Sequence, residues 1–192
     1  LADRRVGLVW VVGLLLSAFF FIRGQVAGDQ LNLLARGYLL VSQGDWIPYG
    51  NPMSTGGKSP GGVTSLLVGL PLFVWKDHRA ATLVVLLFHL GAYAILDRLV
   101  KKALSPFERI AFAVLYWLNP WRLYFSGFLW NPNYLFLLAA VHLAACLAQR
   151  DRPRFGSSVA LLAALGLGIQ IHASALLLVV ATGILWVRGQ FR

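Results

Sequence analysis

Long uncharged apolar runs separated by short basic clusters make up most of the chain, and one stretch breaks that pattern. The first run, 6–22, follows Arg4 and Arg5 and is just long enough to cross a bilayer as a helix. Further spans are predicted at roughly 80–99, 107–125, 132–149, 156–171 and 173–187, giving about six in all. Between the first span and the rest lies 23–79, polar and rich in Gly, Pro and aromatic residues. A cleaved leader is the alternative for 6–22. Its apolar core is too long for one, and Val26-Ala27-Gly28 is a poor cleavage site.

Within 23–79, apolar residues at Leu31, Leu34, Ala35, Tyr38, Leu39 and Val41 predict a short amphipathic helix over 29–43, lying at the membrane interface. Residues 44–52 and 56–62 read as turn-rich loops. The run 63–75 is too short to span comfortably, and charge agrees. If it does not span, the clusters at 98–109, 150–154 and 188–192 all face the same side as Arg4 and Arg5, as the positive-inside rule requires. The stretch 23–79 is then one large extracytoplasmic loop. Residues 155–187 form one uncharged run interrupted by Gln170 and His172. As a single helix it would be about 50 Å long against a hydrocarbon core of about 30 Å, so a hairpin is the better reading.

Composition supports a membrane protein: of 192 residues 58% are hydrophobic and only 12% charged, with a mean hydropathy of +0.70. The net charge of +10 comes from the basic clusters between the runs, so it reads as a topology and headgroup signal rather than nucleic-acid binding. Cys146 is the only cysteine, so no disulfide forms within the chain, and its position among Ala and Leu is that of a small buried hydrophobe. The chain opens Leu-Ala-Asp-Arg-Arg without Met and stops just after an apolar run, which reads as a piece of a longer protein.

Under this topology three segments meet on the outer side: the 23–79 loop, the junction 119–133, and the turn at Gln170 and His172. Asp3, Asp97, Glu108 and Asp151 fall among the cytoplasmic basic clusters. Asp29, Asp45 and Asp77 lie outside, and only Asp29 stands directly at a helix mouth. A carboxylate there is a functional-site candidate. Gly56-Gly57-Lys58-Ser59 resembles part of a P-loop, but Pro52 stands where the pattern needs Gly and Pro60 where a helix should start. Lys58 reads either as a phosphate ligand or as a solvated loop lysine. Gln170 and His172 are costly inside an apolar run unless paired or wetted, so they serve substrate binding or a helix-bridging hydrogen bond. His78, His89 and His142 show no metal-ligand spacing. Trp46, Tyr49, Trp75, Trp121, Tyr124 and Trp130 fit an interfacial aromatic belt better than sugar stacking.

Four stretches in order, Gly28-Asp29-Gln30, Lys58-Ser59-Pro60-Gly61-Gly62, Asn119-Pro120 through Trp130-Asn131-Pro132-Asn133, and Gly166 through Ala175, spread over the chain. Their order resembles the GT-C superfamily of membrane glycosyltransferases, and is most similar to the glycosyltransferase 39-like group of protein mannosyltransferases and lipid A aminoarabinose transferases. The resemblance implies an all-α, multi-span, GT-C-like bundle, with residues 1–192 the N-terminal part of its membrane module. It also implies transfer of a sugar from a polyprenyl-phosphate donor to a lipid, glycan or protein acceptor, on the extracytoplasmic face of a bacterial inner membrane. Asp29 takes the position of the general base, and Lys58, Arg122 and His172 those of cationic groups that meet the departing lipid phosphate. Asn131, Asn133 and Gln170 complete the implied substrate- and phosphate-binding set. Many relatives carry Asp where this chain has Asn133, which leaves a metal shared between two carboxylates, and with it any divalent cofactor, open.

Two other classes compete. A transporter or lipid flippase favours ionisable groups near the bilayer midplane and internal repeats. A non-catalytic membrane scaffold predicts indifference to Asp29.

Overall fold

The computed structural model describes residues 2–52 and 56–191. Its elements are α1 (Ala2–Arg23), α2 (Asp29–Gln43), β1 (Tyr49–Pro52), β2 (Lys58–Pro60), α3 (Val63–Val74), α4 (His78–Ala103), α5 (Pro106–Trp117), α6 (Pro120–Phe125), α7 (Leu135–Asp151), α8 (Phe155–Ile171) and α9 (Leu177–Val187), with 3₁₀ turns at Asn131–Tyr134 and Ala173–Leu176. The two short strands pair antiparallel, Tyr49 opposite Pro60 and Pro52 opposite Lys58.

Local chemistry sets the element ends. Ser105 and Glu108 form a reciprocal capping box ahead of α5, with Pro106 at its first position. The Asp77 carboxylate accepts the Arg79 N–H at 2.8 Å to open α4. Gly44, at φ 74°, ends α2: its N–H donates to the Leu40 carbonyl at 3.1 Å and the Asp45 N–H to the Leu39 carbonyl at 3.3 Å.

Among the described residues three helices are long and apolar enough to cross a membrane: Asp3–Arg23, His78–Ala103 and Asn131–Asp151. Leu8, Leu15 and Ile22 stay exposed at seven-residue spacing on α1, the stripe a helix turns to lipid. The single span expected over 107–125 is instead two helices. Pro120 disfavours helix at Asn119 and supplies no N–H, and the Asn119 side chain accepts from the Trp121 and Arg122 amides at 2.9 and 3.2 Å, starting α6 afresh. Residues 63–74 form one short helix, as expected of a segment that does not span.

Helix directions follow from contacts. Asp3 beside Arg109 and Gly13 against Trp117 make α1 and α5 parallel. In α4, which runs the other way, Asp97 meets Arg109 and the His89 carbonyl accepts from Tyr116 Oη at 2.8 Å. Helix α7 runs parallel to α4, with Phe88 on Tyr134, His89 stacked on Phe136 and Gly91 against Leu137. Residues 155–187 are a hairpin. Gln149 meets Ser158 at the start of α8 and Gly168 nears Leu135 at its end; α9 then returns, with Thr182 on His142 and Gln190 donating to the Arg150 carbonyl. The extended backbone of His172 (φ −158°, ψ 139°) makes the bend.

One end of the bundle therefore gathers Asp3, Asp97, Lys101, Arg109 and Arg150. The other gathers α2, the β-hairpin, the 126–133 loop and His172. Beneath that second end lies the largest core, built on Leu33, Val68, Leu72, Ala81, Val85, Leu129, Tyr134 and Ile171.

Candidate functional site

Asp29 is the first residue of α2, is exposed, and among the described residues its carboxylate has no hydrogen-bond or ion-pair partner. Its position is fixed by the next residue. Gln30 is fully buried; its Nε2 donates to the Gln25 carbonyl at 3.0 Å, and its Oε1 accepts the Leu129 N–H at 2.8 Å. The mouth of α1, the start of α2 and the 126–133 loop are thus tied through one side chain.

Helix α2 carries three stripes, each of three residues spaced three and four apart. Gln30, Leu33 and Gly37 are buried. Rotated about 100° to one side, Leu31, Ala35 and Tyr38 are exposed and mostly apolar. To the other side lie Asp29, Asn32 and Arg36, which are polar and at least partly exposed. A helix with lipid on one flank and water on the other needs this arrangement.

Lys58 is exposed on β2, its Nζ 3.7 Å from the centre of the Tyr49 ring. The Arg36 guanidinium also lies against that ring, at 5.4 Å, and Nη1 donates to the Tyr49 carbonyl. Behind the hairpin, Gly61 (φ +83°) packs on Gln170, where an added Cβ would come within 2.6 Å of Gln170 Cγ. The structure therefore brings Lys58's strand against Gln170. Next to it, His172 is half-buried, and its Nδ1 accepts the Ser174 N–H at 3.2 Å and lies 2.8 Å from Ser174 Oγ. Burial pushes its pKa below the ordinary histidine value. The neutral tautomer with the proton on Nε2 fits both observations, so His172 offers an N–H donor rather than the cation expected of it.

Arg122, Asn131 and Asn133 sit elsewhere. Arg122 is buried between α1 and α5; Nη2 donates to Ser17 Oγ at 2.7 Å and the Trp117 carbonyl at 2.9 Å, and its guanidinium lies over the Trp117 and Tyr116 rings. Asn133 is also buried, its Nδ2 closing the preceding loop on the Phe125 and Phe128 carbonyls at 3.0 and 2.8 Å. Asn131 is buried, with an unpartnered Oδ1. The geometry makes braces of both: Arg122 ties α6 to α1 and to the end of α5, and Asn133 shapes the loop that Gln30 grips. Among the described residues no group of three or more His, Cys, Asp or Glu side chains could hold a metal ion, so they form no divalent-metal cage.

Sequence reasoning missed Gln30 as a brace and Arg36 as a neighbour of Lys58. The signal for Arg36 was present, since it follows Asp29 by seven residues on one helical stripe. No protein-family model matches this sequence, and no curated protein or solved structure is significantly similar to it.

Proposed function

We propose that this chain is the N-terminal part of the membrane module of a GT-C-type glycosyltransferase. It moves a sugar from a polyprenyl-phosphate donor to an acceptor on the extracytoplasmic face of a bacterial inner membrane. One observation carries the reading: an exposed carboxylate, unpaired among the described residues, at the first residue of an amphipathic helix that a buried glutamine holds at the bundle end opposite Asp97 and Arg109.

Asp29 takes the proton of the acceptor hydroxyl as its oxygen bonds to the anomeric carbon. The bond from that carbon to the phosphate oxygen breaks, and the lipid phosphate leaves with the electron pair. Lys58 and the Nε2–H of His172 meet the charge that develops there. The test uses membranes holding the intact protein, a labelled polyprenyl-phosphate sugar, and Asp29→Asn. Sugar release should fall by about 10²-fold or more, with expression and donor binding retained. Equal activity of the two proteins overturns the assignment of Asp29.

A transporter or lipid flippase is the second reading. His89 favours it, being fully buried within α4 with neither ring nitrogen hydrogen-bonded. That reading comes forward if neither protein releases sugar from the donor.

A further inference from the structure

We propose that the groove between α1 and α4, at the Asp97 and Arg109 end of the bundle, binds one anionic phospholipid, with Arg98 holding its phosphate. The groove lies at the opposite end from Asp29, and the inference does not depend on the transferase reading.

A cavity of about 320 Å³ opens there, walled by α1 from Asp3 to Trp10, by α4 from Tyr93 to Arg98, and by Arg109 of α5. Helices α1 and α4 run in opposite directions, which makes the cavity amphipathic. Asp3, Asp97, Arg98 and Arg109 stand at its outer mouth, while Gly7, Ala94 and Trp10 lie deeper. From Asp3 to Trp10 is seven residues, about 10 Å along the helix axis. Both helices are long and apolar enough to cross a membrane. The charged mouth therefore falls at headgroup depth and the apolar floor among acyl chains.

The charges at the mouth decide which headgroup. Arg109 bonds both oxygens of Asp97 at 2.7 Å each and also bonds Asp3, which Lys101 approaches at 3.4 Å. Both carboxylates are thus compensated. Arg98 is exposed, and among the described residues it has no ion-pair partner. The charge left open at the mouth is positive.

The floor adds the second requirement. Cavities of this size are at the lower end of those that hold small molecules, so this one takes a headgroup and the start of its chains. Beyond it the path stays apolar: Leu87, Ala94 and Arg98 are exposed at spacings of seven and four residues, one stripe of α4. A phospholipid supplies the anion for Arg98 and chains for that stripe. A free phosphate ester supplies only the first, and diacylglycerol only the second.

The experiment titrates the intact protein in detergent with phosphatidylglycerol, diacylglycerol of the same chains, and glycerol 3-phosphate, reading the first ligand bound by native mass spectrometry. Phosphatidylglycerol should bind at least tenfold tighter than either of the others. Arg98→Gln should weaken it about tenfold, the loss of one charged hydrogen bond, and leave diacylglycerol unchanged. Arg98 has no ion pair to lose, so the variant keeps the fold. Gly7→Leu tests the cavity itself, because a Cβ there meets nothing within 4 Å and the side chain fills open space; it should weaken phosphatidylglycerol and diacylglycerol together. Lys102→Gln removes an exposed charge from the same end of α4 but outside the cavity, and should change little. Diacylglycerol or glycerol 3-phosphate binding as tightly as phosphatidylglycerol overturns the proposal. So does unchanged phosphatidylglycerol affinity in Arg98→Gln or in Gly7→Leu. An equal loss in Lys102→Gln overturns it too, since the attraction is then a diffuse property of the basic end rather than of this groove.

Discussion

Gln30 makes two hydrogen bonds in opposite directions, one back to Gln25 at the mouth of α1 and one across to Leu129. Replacing it with Leu keeps the volume and removes both bonds, leaving the buried Leu129 N–H without its acceptor. The expected cost is about 1–3 kcal/mol, the range for an orphaned buried polar group. Because Asp29 is the adjacent residue, turnover should fall with the lost stability by more than donor affinity does, since the proposed phosphate contacts Lys58 and His172 lie outside α2. A detergent melting curve read beside turnover and donor binding on Gln30→Leu checks this. A variant that melts and turns over like the parent removes Gln30 from the positioning role. Asp29 itself was legible in the sequence, because a lone carboxylate at a helix mouth stands out against apolar runs. Gln30 was not, since its partner lies 99 residues downstream and nothing local announces the pairing. Arg122 shows the same limit. Its position in a polar junction suggested an outward-facing cation, and only the packing of α1 against α5 shows that Ser17 and Trp117 enclose it.

At the scale of elements, the outer site rests on a crossing of two short helices. Helices α2 and α3 meet at Gly37 and Gly69: a Cβ on Gly37 would lie 2.6 Å from Val68 Cγ1, and one on Gly69 would lie 3.2 Å from the Gly37 carbonyl oxygen. The absence of side chains lets the backbones approach and sinks Leu33, Val68 and Leu72 into one core. Gly37→Val overfills that crossing and should cost about 1–3 kcal/mol. It should also loosen α2 against α3, seen as faster protease cleavage around 44–62 with the long helices intact; cleavage at the parent's rate would mean the crossing tolerates the methyls. Periodicity made α2 legible as an amphipathic helix, and the length of its apolar run made α3 legible as a short helix. The break between α5 and α6 was harder to read. Hydropathy runs on through 107–125, while the Asn119-Pro120 pair that ends one helix and caps the next is a local signal that an apolar average hides.

For the whole molecule, the decisive property is that the charged end and the candidate site lie at opposite ends of one bundle. Arg109 bonds both oxygens of Asp97, at 2.7 Å each, and also Asp3, so α1, α4 and α5 are tied at a common end. Gln190 returns α9 to Arg150 at that same end, because α4 and α7 run parallel. We propose, from the positive-inside rule, that this end is cytoplasmic; Asp29, Lys58 and His172 would then face outward. Cysteine labelling tests the orientation directly. On a Cys146→Ala background, Asp45→Cys and Lys102→Cys introduce thiols at two exposed positions, one in the outer loop and one in the last turn of α4. An impermeant maleimide added to intact cells should modify position 45 and spare 102 until the membrane is opened. Labelling of 102 alone would invert the protein and put Asp29 where polyprenyl-linked sugars of the outer leaflet do not reach. Labelling of both would mean that the two ends are not separated by a bilayer, and the membrane bundle itself would have to be rebuilt.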